Sequence, residues 1–477
     1  VSESLAAQAP PAAASPLEYQ APVRRLGAIT LAGLIYSTVC GGAFGVEPLV
    51  GAVGPGWAVL LIVLTPLIYS LPVSLLAAEL TALIPDEGGY YVWVRQAFGR
   101  FWAVQEAWWT LAFGVLQLAS FPVLFVSYLA YALGQLGWAD AAAWLAAPAA
   151  KWAVAAAVIA AGTAVNLLGA LDVGRTALVA IVLLLGSFAA LLVSWALGGH
   201  SVAASTAVIQ ADLHSGQHTD LLLGLSVIVF NYSSWEKASS FAGEVENPQR
   251  NYPIALAVAL VLTVLSYLIP VYAGVGATTD PALWTADSGW PAIAERLGGP
   301  TLGLVLAVGG MVSMASLFSA TLLWVSRIPA VMALDGWLPA RFAPAHDANA
   351  VPVASVVLVA LISAVLAANP FSDLVVVQNM SYTAALVLEV LALFYFRRHL
   401  PDAPRAFRVP GGRVGLMLTG GAPLAFSGAV LYASFRDGSA YGTPLALSGL
   451  LALAGVGLFY LRRRAAQVTG QSGCPVA

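Results

Sequence analysis

Twelve stretches of the chain contain no Asp, Glu, Lys or Arg and are dominated by apolar residues: 26–46, 57–78, 107–138, 152–171, 176–197, 221–235, 252–277, 297–326, 351–372, 374–388, 414–435 and 442–461. A helix crossing the hydrocarbon core of a bilayer needs about 20 mainly apolar residues. Two stretches fall short only because Glu236 and Glu389 interrupt them. Strict apolar–polar alternation, the mark of a transmembrane β-strand, is scarce. A helix satisfies its own backbone polar groups in hydrocarbon. The pattern therefore predicts an all-α integral membrane protein of twelve transmembrane helices.

Lys and Arg are enriched in the cytoplasmic loops of such proteins. With a cytoplasmic N-terminus, 17 of the 20 positive charges fall in inside segments, and only Lys151, Arg296 and Arg436 lie outside. A multi-pass protein of the inner or plasma membrane with both termini cytoplasmic is expected. Residues 1–23 form an Ala/Pro-rich tail whose composition cannot pack a core. Residues 24–464 read as one transmembrane domain and 465–477 as a second tail. The first apolar run is long enough to span, so no cleavable signal is expected.

Composition sharpens this. Hydrophobic residues make up 60% and charged residues 9%, and the mean hydropathy is +0.85. A soluble globular protein carries about 25% charged residues, so a soluble enzyme and a disordered chain are excluded. The net charge of −3 gives no basic footprint for nucleic acid. Cys40 and Cys474 are too far apart in sequence to suggest a disulfide framework or a cysteine-built metal site. The five histidines (His200, His214, His218, His346, His399) fall in predicted loops, and His214 with His218 reads as a solvated pair. A membrane enzyme would need a catalytic constellation inside the spans, and no such set is evident.

Two spans carry interruptions. The first holds Cys40-Gly41-Gly42-Ala43-Phe44-Gly45, then Glu47-Pro48, and the sixth holds Phe230-Asn231-Tyr232-Ser233-Ser234-Trp235-Glu236. Each Gly in a helix costs about 1 kcal/mol relative to Ala. Paired discontinuities in spans one and six suggest two halves of five helices, with a solute site between the broken helices. A break exposes C=O groups that attract ammonium and N–H groups that attract carboxylate. Alternatively, Gly41, Gly42 and Gly45 let helices pack closely.

Four stretches resemble the amino acid–polyamine–organocation transporters. They are Thr38 to Gly45; Ala78-Glu79-Leu80 with Ile84 to Val94; Phe230 to Glu236 with Gly243 to Pro253; and Ser326 to Pro339. Gly41 to Pro48, Ala242 to Gln249, Leu388-Glu389 and Phe407 to Pro410 are similar to the polyamine and L-amino-acid uptake members. The resemblance covers about 24–464. It implies a LeuT-type 5+5 inverted repeat plus two peripheral helices, with repeats at about 24–198 and 219–398 and helices 11–12 at about 411–462. Helices one, two, six and seven would move against the others. Two positions depart from the pattern. Polyamine-selective relatives tend to carry an acid in helix three, where Gln117 stands. Some proton-coupled relatives carry a Lys in helix five, and 176–197 has none.

The function expected is secondary active transport of an amino acid or polyamine by alternating access, as a proton-coupled symporter or as an exchanger of neutral and basic amino acids. The ammonium would meet the carbonyls of Thr38, Val39 and Phe230, and a carboxylate the N–H groups of Gly42 and Ala43. Cys40, Gly41, Gln117, Asn231, Tyr232 and Ser233 complete the candidate site. Glu47 and Glu236 would supply counter-charge, because three membrane acids and no membrane base favour a cationic solute. Alternatively, Glu47 is solvated near the outer mouth and Glu236 pairs with Lys237 or Arg250. Trp235 is placed as a lid through cation–π attraction, or as an ordinary interfacial Trp. Glu389 would carry a coupling proton or be a protonated structural acid. Glu79, Glu244 and Glu246 are gate candidates, with Arg250, Arg327 and Asp335 in the same inner network. No cofactor or metal is expected, and the coupling ion is H+ or Na+. The partners are the small solute and the bilayer, with no nucleic acid. The loop 139–151 has no Cys for a covalent partner subunit, and a monomer or homodimer is expected.

Overall fold

The computed structural model describes residues 25–86, 88–215, 220–284, 289–344, 351–368, 371–436 and 438–468. The predicted tails at 1–23 and beyond 468, together with Glu87, His218, His346 and Cys474, lie outside these. In chain order the α-helices are α1 (Ala28–Val39), α2 (Glu47–Val53), α3 (Pro55–Thr65), α4 (Leu71–Leu83), α5 (Gly89–Phe98), α6 (Arg100–Gln135), α7 (Ala139–Trp144), α8 (Pro148–Asn166) and α9 (Ala170–Leu197). There follow α10 (Val202–Ser215), α11 (Leu221–Asn231), α12 (Pro248–Ala277), α13 (Gly289–Gly298), α14 (Pro300–Leu334), α15 (Val353–Leu366), α16 (Phe371–His399), α17 (Gly412–Arg436) and α18 (Gly438–Val468). A π-helical turn, Pro66–Ser70, joins α3 to α4 in one span, and a 3-10 segment, Lys237–Glu244, follows α11. Among the described residues no β-strand is present, only the isolated bridges Leu26–Val245 and Gly41–Ala43.

Among the described residues eight helices, against the twelve spans expected, are long and apolar enough to cross a membrane: Pro55–Leu83, Arg100–Gln135, Pro148–Asn166, Ala170–Leu197, Pro248–Ala277, Pro300–Leu334, Val377–His399 and Gly412–Tyr432. Several begin with Pro, as α3, α8, α12 and α14 do. Proline suits a first helical position because the N–H it lacks would have no intrahelical partner there. Val182, Val261 and Leu361 are more than half exposed, an arrangement that needs lipid rather than water on that face. The core runs along α6 and α14, which pack against each other; α16 lies on α6, α9 on α14, and α1 lies against α12 and α9.

Helices also form where loops were expected. His214 stands in α10, and His399 in the last turn of α16. The α10 segment is Ala-rich and packs on α3 and α12, and its Asp212 accepts the Gly56 N–H at 2.8 Å. The final helix continues past Arg462 to Val468.

One end of the bundle is rich in Arg, and ion pairs tie it together. Glu79 has no exposed surface. It accepts from Arg397 Nη2 at 2.6 Å, Arg405 Nη1 at 2.6 Å and the Val409 N–H at 2.7 Å. Glu244 Oε1 accepts from Arg327 Nε at 2.9 Å and Nη2 at 2.7 Å. Leu26 N–H donates to Glu244 O, and Glu246 N–H donates to Leu26 O, each at 2.9 Å. Arg95 pairs with Asp335, which also accepts the Tyr91 hydroxyl at 2.6 Å. The Glu246 and Arg250 side chains are exposed and stand outside this buried set.

Removing one member of a buried ion pair leaves its partner charge uncompensated, at a cost of about 3–5 kcal/mol. Glu79→Ala is therefore expected to lower the thermal unfolding midpoint of the purified protein in detergent. An unchanged midpoint would show that the contact with Arg397 and Arg405 does not stabilise the fold.

Candidate substrate site

Both interruptions read from the sequence are real breaks. Helix α1 ends at Val39 and Cys40 is extended. Gly42 (φ +70°) and Gly45 (φ +90°) turn the chain through the left-handed region, which glycine enters without a Cβ penalty. The chain resumes a helix at Glu47. Helix α11 ends at Asn231, and Ser234 takes φ +77° before the 3-10 segment begins at Lys237. A helix end leaves backbone groups without partners, and side chains supply them here. Asn231 Nδ2 donates to Gly45 O at 2.9 Å, Ser313 Oγ to Gly41 O at 2.6 Å and Trp290 Nε1 to Ala43 O at 2.7 Å. At the second break Ser233 Oγ donates to Phe230 O at 3.0 Å, Trp235 Nε1 to Tyr232 O at 2.9 Å and Tyr267 OH to Asn231 O at 2.8 Å.

Between the breaks lies a cavity of about 10 Å³, room for a single water. Thr38, Val39, Gly41, Phe44, Gly45, Gln117, Phe121, Leu124, Phe230, Asn231, Met314 and Leu317 line it. None of these is charged. The Gln117 side chain is buried, and its Oε1 has no hydrogen-bond donor. That oxygen, together with the carbonyl-bearing C-terminal ends of α1 and α11, makes the lining rich in acceptors, which suits a donor-only group such as an ammonium.

Six of the expected site residues therefore line the cavity: Thr38, Val39, Gly41, Gln117, Phe230 and Asn231. The remainder are placed elsewhere. Cys40 is buried, with its Sγ 3.7 Å from Gly42 O. A Cβ on Gly42 would meet Leu184 Cδ1 at 2.5 Å and Phe188 Cε2 at 3.1 Å, so Gly42 fits α1 against α9 rather than leaving room for a solute. Ala43 holds Trp290 through its carbonyl. Tyr232 donates to Ile62 O at 3.0 Å, and Ser233 and Trp235 satisfy the second break.

Trp235 is fully buried and does not cover the cavity. Phe44 lines the cavity, and its ring packs on Tyr128 at 5.3 Å and Phe188 at 4.9 Å between centroids, with Trp290 at 5.4 Å from Phe188. Glu47 is buried rather than solvated. It accepts from the Gly45 N–H, the Trp290 N–H at 3.3 Å and the Tyr128 hydroxyl at 3.3 Å, clamping the N-terminus of α2 to α13. Glu236 pairs with Lys237 at 2.8 Å and accepts from Tyr382 OH at 2.9 Å. Lys237 is itself fully buried, so the expectation of membrane acids without a membrane base is overturned.

Sequence reasoning missed Phe121, Leu124, Met314 and Leu317, which are ordinary apolar residues within spans. It also missed Glu106 and the burial of Lys237. Glu106 sits one residue before the charge-free run 107–138, and Lys237 reads as a loop cation beside polar residues.

A bundle of apolar helices with a cavity between two broken ones has the architecture of a solute permease. The chain matches the amino acid permease family over residues 26–457, and it belongs to that family. It is 34% identical over 411 residues to the polyamine transporter PUT1 of Oryza sativa subsp. japonica, covering 86% of this chain and 74% of the relative. It is 31% identical over 422 residues to the polyamine transporter RMV1 of Arabidopsis thaliana, covering 88% and 82%. A shorter match, 29% over 206 residues, is to the vacuolar cationic amino acid transporter 4 of Arabidopsis thaliana, covering 42% and 34%. The protein is thus a multi-pass transporter of a small molecule, not an enzyme.

Gly42→Leu places a side chain on a backbone at φ +70° and against Leu184. Loss of solute uptake together with a lowered thermal midpoint is expected. Full uptake at wild-type stability would show that the first break tolerates a side chain and that close packing of Gly42 against Leu184 and Phe188 is not required.

Proposed function

We propose that the protein is a secondary active transporter that takes up amine-bearing solutes, polyamines foremost, by alternating access and in symport with protons. The reading has a LeuT-type arrangement of twelve membrane helices. In it α1 with α2, and α11 with the 3-10 segment, are the discontinuous first helices of two five-helix repeats, and α17 and α18 are peripheral. The Arg-rich end is cytoplasmic, as are both termini, and the membrane is the inner or plasma membrane. Glu79 and Glu244 then belong to the closed inner gate, and Phe44 with Trp290 to the outer one.

The observation that carries the substrate class is Gln117, whose Oε1 is a buried acceptor without a donor, in a cavity lined also by residues from the C-terminal ends of α1 and α11. The negative ends of helix dipoles favour a cation, and relatives that align with most of the chain are named polyamine transporters. A second reading is exchange of neutral or basic amino acids by the same fold. It is favoured by the uncharged lining, which offers no carboxylate to a second ammonium, and by the cationic amino acid transporter among the relatives.

Uptake of labelled putrescine into liposomes holding only the purified chain separates the two. Accumulation driven by an inward proton gradient, competed by other polyamines, is expected. Losing a hydrogen bond to a charged group costs about 1.5–3 kcal/mol, so Gln117→Ala is expected to weaken putrescine affinity by about ten- to a hundredfold. Uptake that requires preloaded amino acid and ignores the gradient supports exchange. No uptake of any amine contradicts both readings.

A further inference from the structure

Next to the second break lies a cluster of buried ionisable groups that the cavity does not use. The Lys237 ammonium is 2.8 Å from Glu236 Oε1 and 2.8 Å from Glu389 Oε1. It donates to Thr110 Oγ1 at 3.4 Å and lies 4.4 Å and 5.3 Å from the ring centroids of Tyr90 and Tyr382. Glu106, on α6, accepts at 2.8 Å from Thr110 Oγ1, the same hydroxyl that receives Lys237. Glu106, Glu236, Lys237 and Glu389 all have zero exposed surface. Tyr69, Tyr90, Tyr252 and Tyr382 face this group from the π-helical turn, α5, α12 and α16.

One base stands against three acids. Were all three ionised, the cluster would hold two uncompensated negative charges away from water, which desolvation opposes strongly. Glu389 meets Lys237 directly and Glu106 meets it through Thr110, so the two carboxyls flank one ammonium and are the pair between which a proton can be held. Two ionised carboxylates are acceptors only and cannot hydrogen-bond each other. Their approach is favourable when one carries a proton. Oε2 of Glu106 and Oε2 of Glu389 are both buried and lack any donor, so each has an oxygen left to hold it.

We propose that Glu106 and Glu389 share one exchangeable proton beside Lys237, and that this pair is the proton-binding site of the transporter. The coupling half of the proposal rests on the symport reading above; the shared proton does not. The carboxylates that hold the proton stand on unbroken helices, α6 and α16. The ammonium follows directly from the break at 232–236. Motion of the broken segment carries Lys237 toward or away from the pair. An ammonium nearby favours the ionised carboxylate, so withdrawal of Lys237 from its 2.8 Å contact with Glu389 tightens the pair's hold on the proton and its return loosens it. The proton adds to a carboxylate oxygen from water on one side and leaves to water on the other, with no other bond made or broken.

The test is infrared spectroscopy of the full chain in lipid nanodiscs, reading the carbonyl band of protonated carboxyl groups in H2O and D2O. The same proteins are then assayed for putrescine binding and gradient-driven uptake. A protonated-carboxyl band at neutral pH is expected in the wild type and is lost in Glu106→Gln and in Glu389→Gln. Both variants should keep putrescine affinity and lose the response of uptake to the proton gradient. If the Gln variants do not fold, Glu106→Asp, which retracts the carboxyl by one methylene, should shift the band. No band in the wild type, or a band unchanged in all folded variants, overturns the proposal. A band lost in the variants while wild-type uptake ignores the gradient supports the shared proton and overturns the symport reading instead.

Discussion

Inside a bilayer there is no water to satisfy a backbone N–H or C=O, and each one left unpaired costs several kcal/mol. A break in a membrane helix is therefore possible only where other groups take over the lost hydrogen bonds. The geometry of this protein follows from that demand at two places. At 40–46 the freed carbonyls are met by Asn231, Ser313 and Trp290. At 231–236 they are met by Tyr267, Ser233 and Trp235. Asn231 lies in both sets: its side chain serves the first break and its carbonyl is served at the second. The two interruptions are thereby fastened to each other, and the cavity lies between them.

The same absence of water governs the charges. Glu79, Glu244 and Glu47 are buried, and each is held by several donors. Their saturated contacts make them structural ties between elements distant in sequence. Gln117 is left with an acceptor to spare, and the Lys237 cluster holds more acids than bases. Other buried polar atoms also lack partners, among them those of Gln105 and Gln378; Gln117 is the one of these that lines the cavity between the breaks, and in the proposed reading it and the Lys237 cluster receive the ammonium and the proton.

Much of this was legible in the chain. Eight of the twelve charge-free runs coincide with helices long and apolar enough to span, because the cost of a charge in hydrocarbon is large enough to write itself into composition. Clustered glycines and the polar Asn231-Tyr232-Ser233-Ser234 run gave the breaks, because both resist helix. What stayed hidden was long-range pairing. Lys237 looks like a solvated loop cation until Glu389, 152 residues away, is found beside it. Glu47, next to the glycine run, looks like a mouth residue until Trp290 and Tyr128 close on it. Trp235 looks like a lid because a Trp suits an amine, yet its indole N–H is consumed by Tyr232 O. Met314 and Leu317 carry no signal at all, since an apolar side chain facing a cavity is indistinguishable in sequence from one facing lipid.

The central claim is that an ammonium is bound between the two broken helices by uncharged acceptors. A structure of the purified chain with putrescine, determined in lipid, tests it most directly. The account predicts density between the breaks, with a terminal nitrogen within hydrogen-bond distance of Gln117 Oε1 and of a carbonyl at the C-terminal end of α1 or α11. Density beside the Lys237 cluster or among the Phe44, Phe188 and Trp290 rings, with the cavity between the breaks unaltered, would contradict it.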